Sequence, residues 1–223
     1  GRIANESLQN YIDSVGQRIA RVSHKPYWDY HFVALNHKSI NAFTLPGGYI
    51  FITKGMLKKL TTEAQLAGIL AHEIVHVVAR HYAAAASRET SESGIMVLAA
   101  ALSGAKVPRG VLQAADLARQ IIGLRYSRKD EREADLAGLD YMVAAGYNPY
   151  ATIESMQMLE REDAVRPVEF FSTHPDPQNR LAYLNGRIQT RYGTFGGLRI
   201  AKEDYRKFVL EPLAKLEDSK KPG

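Results

Sequence analysis

The sequence predicts an α+β fold that is predominantly helical, with a small β-sheet packed on one buried helix. Three observations lead there. Apolar residues recur at helical spacing over most of the chain, strand-like alternation is confined to residues 28–53, and the stretch from Leu66 to Val78 is apolar almost all round, the mark of a helix inside the molecule. With 223 residues, 45% of them hydrophobic, and no repeats or low-complexity stretches, the chain is expected to form one domain. Within it the pattern separates a helical N-terminal segment (1–25), a sheet and core (26–185) and a C-terminal helical segment (186–217).

Leu8, Tyr11, Ile12, Val15, Ile19 and Val22 make an amphipathic first helix. The opening Gly1-Arg2-Ile3 reads as part of the same helix-like pattern, which points to a processed or trimmed N-terminus. Trp28 to Leu35 alternates as a strand, and Asn41 to Thr44 and Tyr49 to Thr53 read as two more, joined by Pro46-Gly47-Gly48. Either of the last two is a candidate for the sheet edge, with Tyr49 to Thr53 named first. Thr62 with Gln65 fits a capping box that opens the buried helix. Residues 94–105 form an apolar run of 12, short of the ~20 needed to span a bilayer, and read as a core helix, a lid or an apolar patch. Ser127 to Val143 is helical and Gly146 stops it. Asp176 and Pro177 read as the cap and first residue of a later helix, and residues 217–223 as a frayed tail or the start of a linker.

The chemistry concentrates in His72-Glu73-Ile74-Val75-His76. Residues four apart in a helix stack on one face with Cβ atoms about 5–6 Å apart, so both imidazoles can bind one metal ion. Glu73, rotated about 100° away, cannot easily join them but can reach a water in an open coordination position, as a general base does. Arg80 continues the polar groups along this helix, and such groups need partners once buried. A catalytic zinc takes three protein ligands. The chain has no cysteine, so the third must be another histidine or, better, a carboxylate within residues 127–138. There Glu131, Asp135, Gly138 and Met142 share an inward stripe. Gly138 permits close helix approach, and Asp135 can accept a hydrogen bond from the non-ligating nitrogen of a metal-binding histidine. Glu133 lies on another face, placed to pair with Lys129.

The run His72 to His81, followed by Ser127-Arg128 and Glu131-Arg132-Glu133-Ala134-Asp135, resembles the zinc metallopeptidase family of the HtpX heat-shock protease and the CAAX prenyl protease. Asn41 to Phe51 resembles the segment that precedes the active helix in that family, and Ser172-Thr173-His174-Pro175 with Arg180 its downstream histidine motif. The resemblance spans roughly residues 40 to 185. It implies a zincin-type domain of the gluzincin kind, one zinc held by His72, His76 and Glu131, Glu73 as catalytic base, and His174 and Arg180 facing the site. His174 is the preferred second catalytic group, as an oxyanion donor or an inhibitory fourth ligand, with Tyr126 the alternative donor.

Within that family the chain is most similar to the soluble bacterial cell-envelope branch. The resemblance implies an endopeptidase acting on unfolded or misassembled proteins in the periplasm or cell envelope, with peripheral membrane or outer-membrane assembly partners. The alternative is a chaperone-like assembly factor with a latent or structural zinc. A net charge of +5 is spread along the chain without dense basic runs, so nucleic acid is not expected as a partner. The lack of cysteine fits oxidising and cytosolic compartments equally.

Overall fold

The computed structural model describes residues 1–89, 123–175, 179–192 and 197–218. The expected apolar run 94–105, the helix start at Asp176-Pro177 and the tail beyond Asp218 lie outside them. The architecture is α+β and mostly helical, with one three-stranded sheet.

Helix α1 (Glu6–Ala20) opens where the Asn5 side chain accepts from the Leu8 amide, and it buries Leu8, Ile12, Val15 and Ile19. The first residues are not helical. Ile3 instead donates its amide to the Ala34 carbonyl and Arg2 bridges to Leu35, because Asn5 caps the helix only after the chain has paired with the sheet. The sheet consists of β1 (His31–Leu35), β2 (Ala42–Leu45) and β3 (Tyr49–Thr53) in the order β1-β3-β2, with β3 parallel to β1 and antiparallel to β2. The expectation that Tyr49 to Thr53 could form the edge is therefore corrected: β3 is central, and β2 is an edge strand. Alternation alone does not encode strand order. Phe32, Ala34, Ala42, Ile50 and Ile52 face inward and are buried. Gly16 of α1 meets the Phe32 ring so closely that a Cβ would lie 2.5 Å from it.

After the short α2 (Lys54–Leu57) comes α3 (Glu63–Val78), of which nearly every residue is buried. Thr62 caps it by accepting from the Gln65 amide, but Gln65 reaches back to Thr61 instead of closing the box on Thr62. The remaining N-terminal donors, the Glu63 and Ala64 amides, bond the Ala201 and Ile200 carbonyls of the C-terminal segment. At the other end Arg80 takes a left-handed conformation (φ 55) and α4 (His81–Glu89) leaves in a new direction. Arg80 is exposed and not part of α3, contrary to the sequence reading, because the helix ends at the Ala79 cap and the chain turns left-handed at Arg80 itself.

Helix α5 (Arg128–Ala144) starts in a capping box of Ser127 and Asp130 and packs along α3. A Cβ on Gly138 would stand 3.3 Å from the His72 amide nitrogen, so glycine sets how closely the two helices approach. Helix α6 (Tyr150–Val165) covers the other side of α3, followed by α7 (Glu169–Thr173) and α8 (Arg180–Arg191). The chain then closes through α9 (Lys202–Tyr205), one π-helical turn (Arg206–Leu210) and α10 (Glu211–Asp218). Among the described residues no helix is long and apolar enough to cross a membrane.

Glu63 ties these parts together. It accepts from Tyr11 of α1 at 2.6 Å, from Tyr147 at 2.7 Å and from Arg199 at 2.5 and 3.0 Å. Burial alone would raise its pKa, but these donors outweigh burial and hold it below its ordinary 4.5. A depressed folded pKa means that the stability from this carboxylate is complete above the ordinary value and is lost as pH falls through the lower folded one. Urea midpoints of wild type should therefore drop below about pH 4.5, and those of Glu63→Gln less steeply. At neutral pH the variant should be about 1–3 kcal/mol less stable. Parallel pH curves would contradict this role for Glu63.

Candidate metal centre

One helical turn of α3 and the first turn of α5 bring the central groups together. His72 Nε2 and His76 Nε2 lie 3.0 Å apart, and the Glu131 oxygens are 3.4 Å from each of them. The other ring nitrogens are held from behind. His72 Nδ1 stands 3.1 Å from Asp135, and His76 Nδ1 stands 3.0 Å from His81 Nδ1. Donation of the His72 Nδ1 proton to Asp135 would leave its Nε2 available toward His76. Two ring nitrogens facing each other beside a carboxylate form a donor set for a cation.

His174 completes the group: one ligand atom from each of His72, His76, Glu131 and His174 lies within 4.8 Å of the others. His174 is the C-cap residue of α7 and fully buried. Its ring stacks on Phe170 at 4.2 Å, and its Nδ1 is engaged by the Phe170 carbonyl and the Thr173 hydroxyl. Its Nε2 points inward, 3.4 Å from Glu73.

Arg180, the first residue of α8, donates to Asp135 at 2.5 Å and lies 3.6 Å from Glu131. Tyr183 also donates to Asp135. Tyr126 stacks on His76 at 3.9 Å, but its hydroxyl meets Thr44 of β2 at 3.3 Å, so it lies against the cluster without aiming its oxygen into it. The place of His81 behind His76, and Tyr183 altogether, escaped the sequence reading. His81 reaches His76 only because the chain reverses at Arg80, which spacing does not reveal. Glu133 stands 3.6 Å from His81 and, among the described residues, forms no ion pair with Lys129. The sequence pairing is thus replaced by one across helices, where Glu133 can orient the imidazole behind His76.

The electrostatics fit a cation. Both oxygens of Glu73, both of Glu131 and Nε2 of His174 are buried and lack hydrogen bonds, a costly state for charged groups without a counterion. Burial would raise the Glu131 pKa, but His174 and His72 outweigh it and keep the group well below the carboxylate range; Glu73 is likewise held low against burial by His174 and His76. For the protein groups alone, burial opposes charge on His72, yet Glu131 and Asp135 push its pKa up to about 9, while burial pulls His76 down to about 4. A proton on His72 then supplies charge that a metal ion would supply more fully. A mixed imidazole and carboxylate donor set suits zinc.

A sequence model of peptidase family M48 matches residues 6–188. The beta-barrel assembly-enhancing protease of Escherichia coli (strain K12) is 31% identical over 189 residues, which cover 81% of this chain and 39% of that protein. The mitochondrial metalloendopeptidase OMA1 of Schizosaccharomyces pombe is 36% identical over 179 residues, covering 77% of this chain and 50% of that protein. The Saccharomyces cerevisiae OMA1 is 33% identical over 164 residues, covering 71% of this chain and 46% of it. The chain thus spans two fifths to one half of the length of these curated relatives. With most of its length matched and relatives above 30% identity, the chain belongs to peptidase family M48.

Proposed function

We propose that this chain is a zinc-dependent endopeptidase that hydrolyses peptide bonds in unfolded or misassembled proteins, with one zinc held by His72, His76 and Glu131. The observation that carries the reading is the convergence of three buried donors beside Glu73, a buried carboxylate without a hydrogen-bond partner. Residues 1–223 form a single peptidase domain in this reading, supported by an apolar cluster that runs from Ile3 to Leu213.

Bound there, zinc would supply Lewis acidity that polarises a carbonyl and lowers the pKa of water. Glu73 takes the proton of the attacking water and returns it to the leaving amine. Asp135, anchored by Arg180 and Tyr183, fixes the His72 ring. His174 Nε2, next to Glu73, is placed to donate to the oxyanion. The client main chain would lie along the edge of β2, where backbone hydrogen bonds accept any sequence in extended form. The name of the Escherichia coli relative supports a site of action in the cell envelope or periplasm of a bacterium, with peripheral membrane or outer-membrane assembly factors as partners.

One observation favours a second reading. His174 offers a fourth donor within the same cluster, and a site closed by four protein ligands is the pattern of a structural or latent zinc. The chain would then be a chaperone-like assembly factor, or an enzyme opened only by its client.

Cleavage of casein with and without a chelator tests the main reading, and loss of cleavage on chelation is expected. Glu73→Gln should retain fold and zinc but lose roughly 10²–10⁴-fold in rate; equal activity in this variant would point to a contaminating protease. Metal analysis under mild chelation should find one zinc in wild type, loss in Glu131→Gln and retention in Glu133→Gln. The reverse order would move the ligand by one helix face. His174→Ala should lower kcat by roughly 10²–10³-fold with zinc unchanged if the imidazole stabilises the oxyanion. A rise in basal cleavage of short peptides would instead mark it as an inhibitory ligand, and unchanged rates on peptide and protein would exclude both roles.

A further inference from the structure

A cavity of about 400 Å³ opens beside the C-terminal end of α3, walled by Tyr27, Trp28, Tyr82 and Arg80 and by Gly47 and Gly48 of the β2–β3 turn. The turn can present only backbone: Gly48 has φ +81, and a Cβ on it would fall 2.0 Å from the Asp29 carbonyl oxygen. Tyr27 is 97% exposed at the rim.

Arg80 occupies the residue after the C-cap of α3 with φ 55, the left-handed position that helices ordinarily give to glycine. Its guanidinium lies 5.5 Å from the centre of the Trp28 ring, and the Lys25 ammonium lies 5.8 Å from the same ring. Among the described residues no carboxylate stands at ion-pair distance from either cation, and that includes Asp29, the exposed acid that also lines the cavity. Two uncompensated cations around an aromatic wall fit an anionic group with apolar surroundings.

The cavity also shares the β2–β3 hairpin with the proposed cleft. Gly47 follows Thr44 by three residues, and Thr44 touches Tyr126, which stacks on His76. We propose that this cavity is a subsite for a carboxylate of the client, from an acidic side chain or a free C-terminus. The nature of the client rests on the peptidase reading, whereas the binding itself does not.

Trp28 is the single tryptophan of the chain, so its fluorescence reports on this cavity. Three hexapeptides of alanine and serine are titrated into zinc-loaded Glu73→Gln protein: one with a central Glu and both ends blocked, one with Gln instead, and the Gln peptide with a free C-terminal carboxylate. At least one carboxylate peptide should shift Trp28 emission saturably and bind about tenfold tighter than the blocked Gln peptide, which is the scale of one charge-assisted hydrogen bond. Whichever binds tighter identifies the source of the carboxylate. Arg80→Gly should abolish the difference without lowering the thermal midpoint, since glycine suits the left-handed turn. Equal binding of all three peptides, or an undiminished preference in Arg80→Gly, would overturn the proposal. Carboxylate binding by a wild-type protein that cleaves no substrate would sink the peptidase reading and leave the subsite standing.

Discussion

Ionised carboxylates buried without donors are the constraint around which the centre of this molecule is organised. Glu73 and Glu131 are both fully buried and make no hydrogen bonds. Desolvating one such charge without a partner costs several kcal/mol even after relaxation of its surroundings, so their survival at one helix interface needs concentrated positive charge. Within the protein the His72 imidazole of α3 and the Arg180 guanidinium of α8 supply part of it. Gly138 brings α5 close enough for Glu131 to meet both α3 histidines. A larger residue there would separate the carboxylate from the imidazoles it balances.

The rest of the fold holds α3 at both ends. Its N-terminus is capped by Thr62 and by carbonyls of the C-terminal segment, while Glu63 gathers Tyr11, Tyr147 and Arg199. Its C-terminus is closed by the left-handed turn at Arg80, which also swings His81 back against His76. The ring orientations at the centre thus depend on contacts that arrive from opposite ends of the chain. That is the arrangement expected where a metal-binding group must be held rigidly by the groups behind it.

What was legible in the sequence was local. The spacing of His72 and His76 and the stripe of Glu131, Asp135 and Gly138 follow from helical period alone, and the structure places all of them at the α3–α5 interface. The choice of Glu131 among the carboxylates needed the family resemblance, since period does not say which stripe meets which helix. Strand order was not legible, because β1 and β3 pair in parallel across an intervening hairpin strand. Nor were His81, Tyr183 and the partner of Glu133, which depend on one backbone reversal and on contacts between helices far apart in sequence. The role of His174 lay between these cases: its motif marked it, but its burial and its stacking on Phe170 are tertiary facts.

The central claim is that this cluster is a metal site and not a charged core. The most direct measurement is an anomalous-difference map from crystals of the zinc-loaded protein. The account predicts one peak per chain at about 2.0–2.2 Å from Nε2 of His72, Nε2 of His76 and an oxygen of Glu131. A peak elsewhere, or none at full zinc loading, would contradict it.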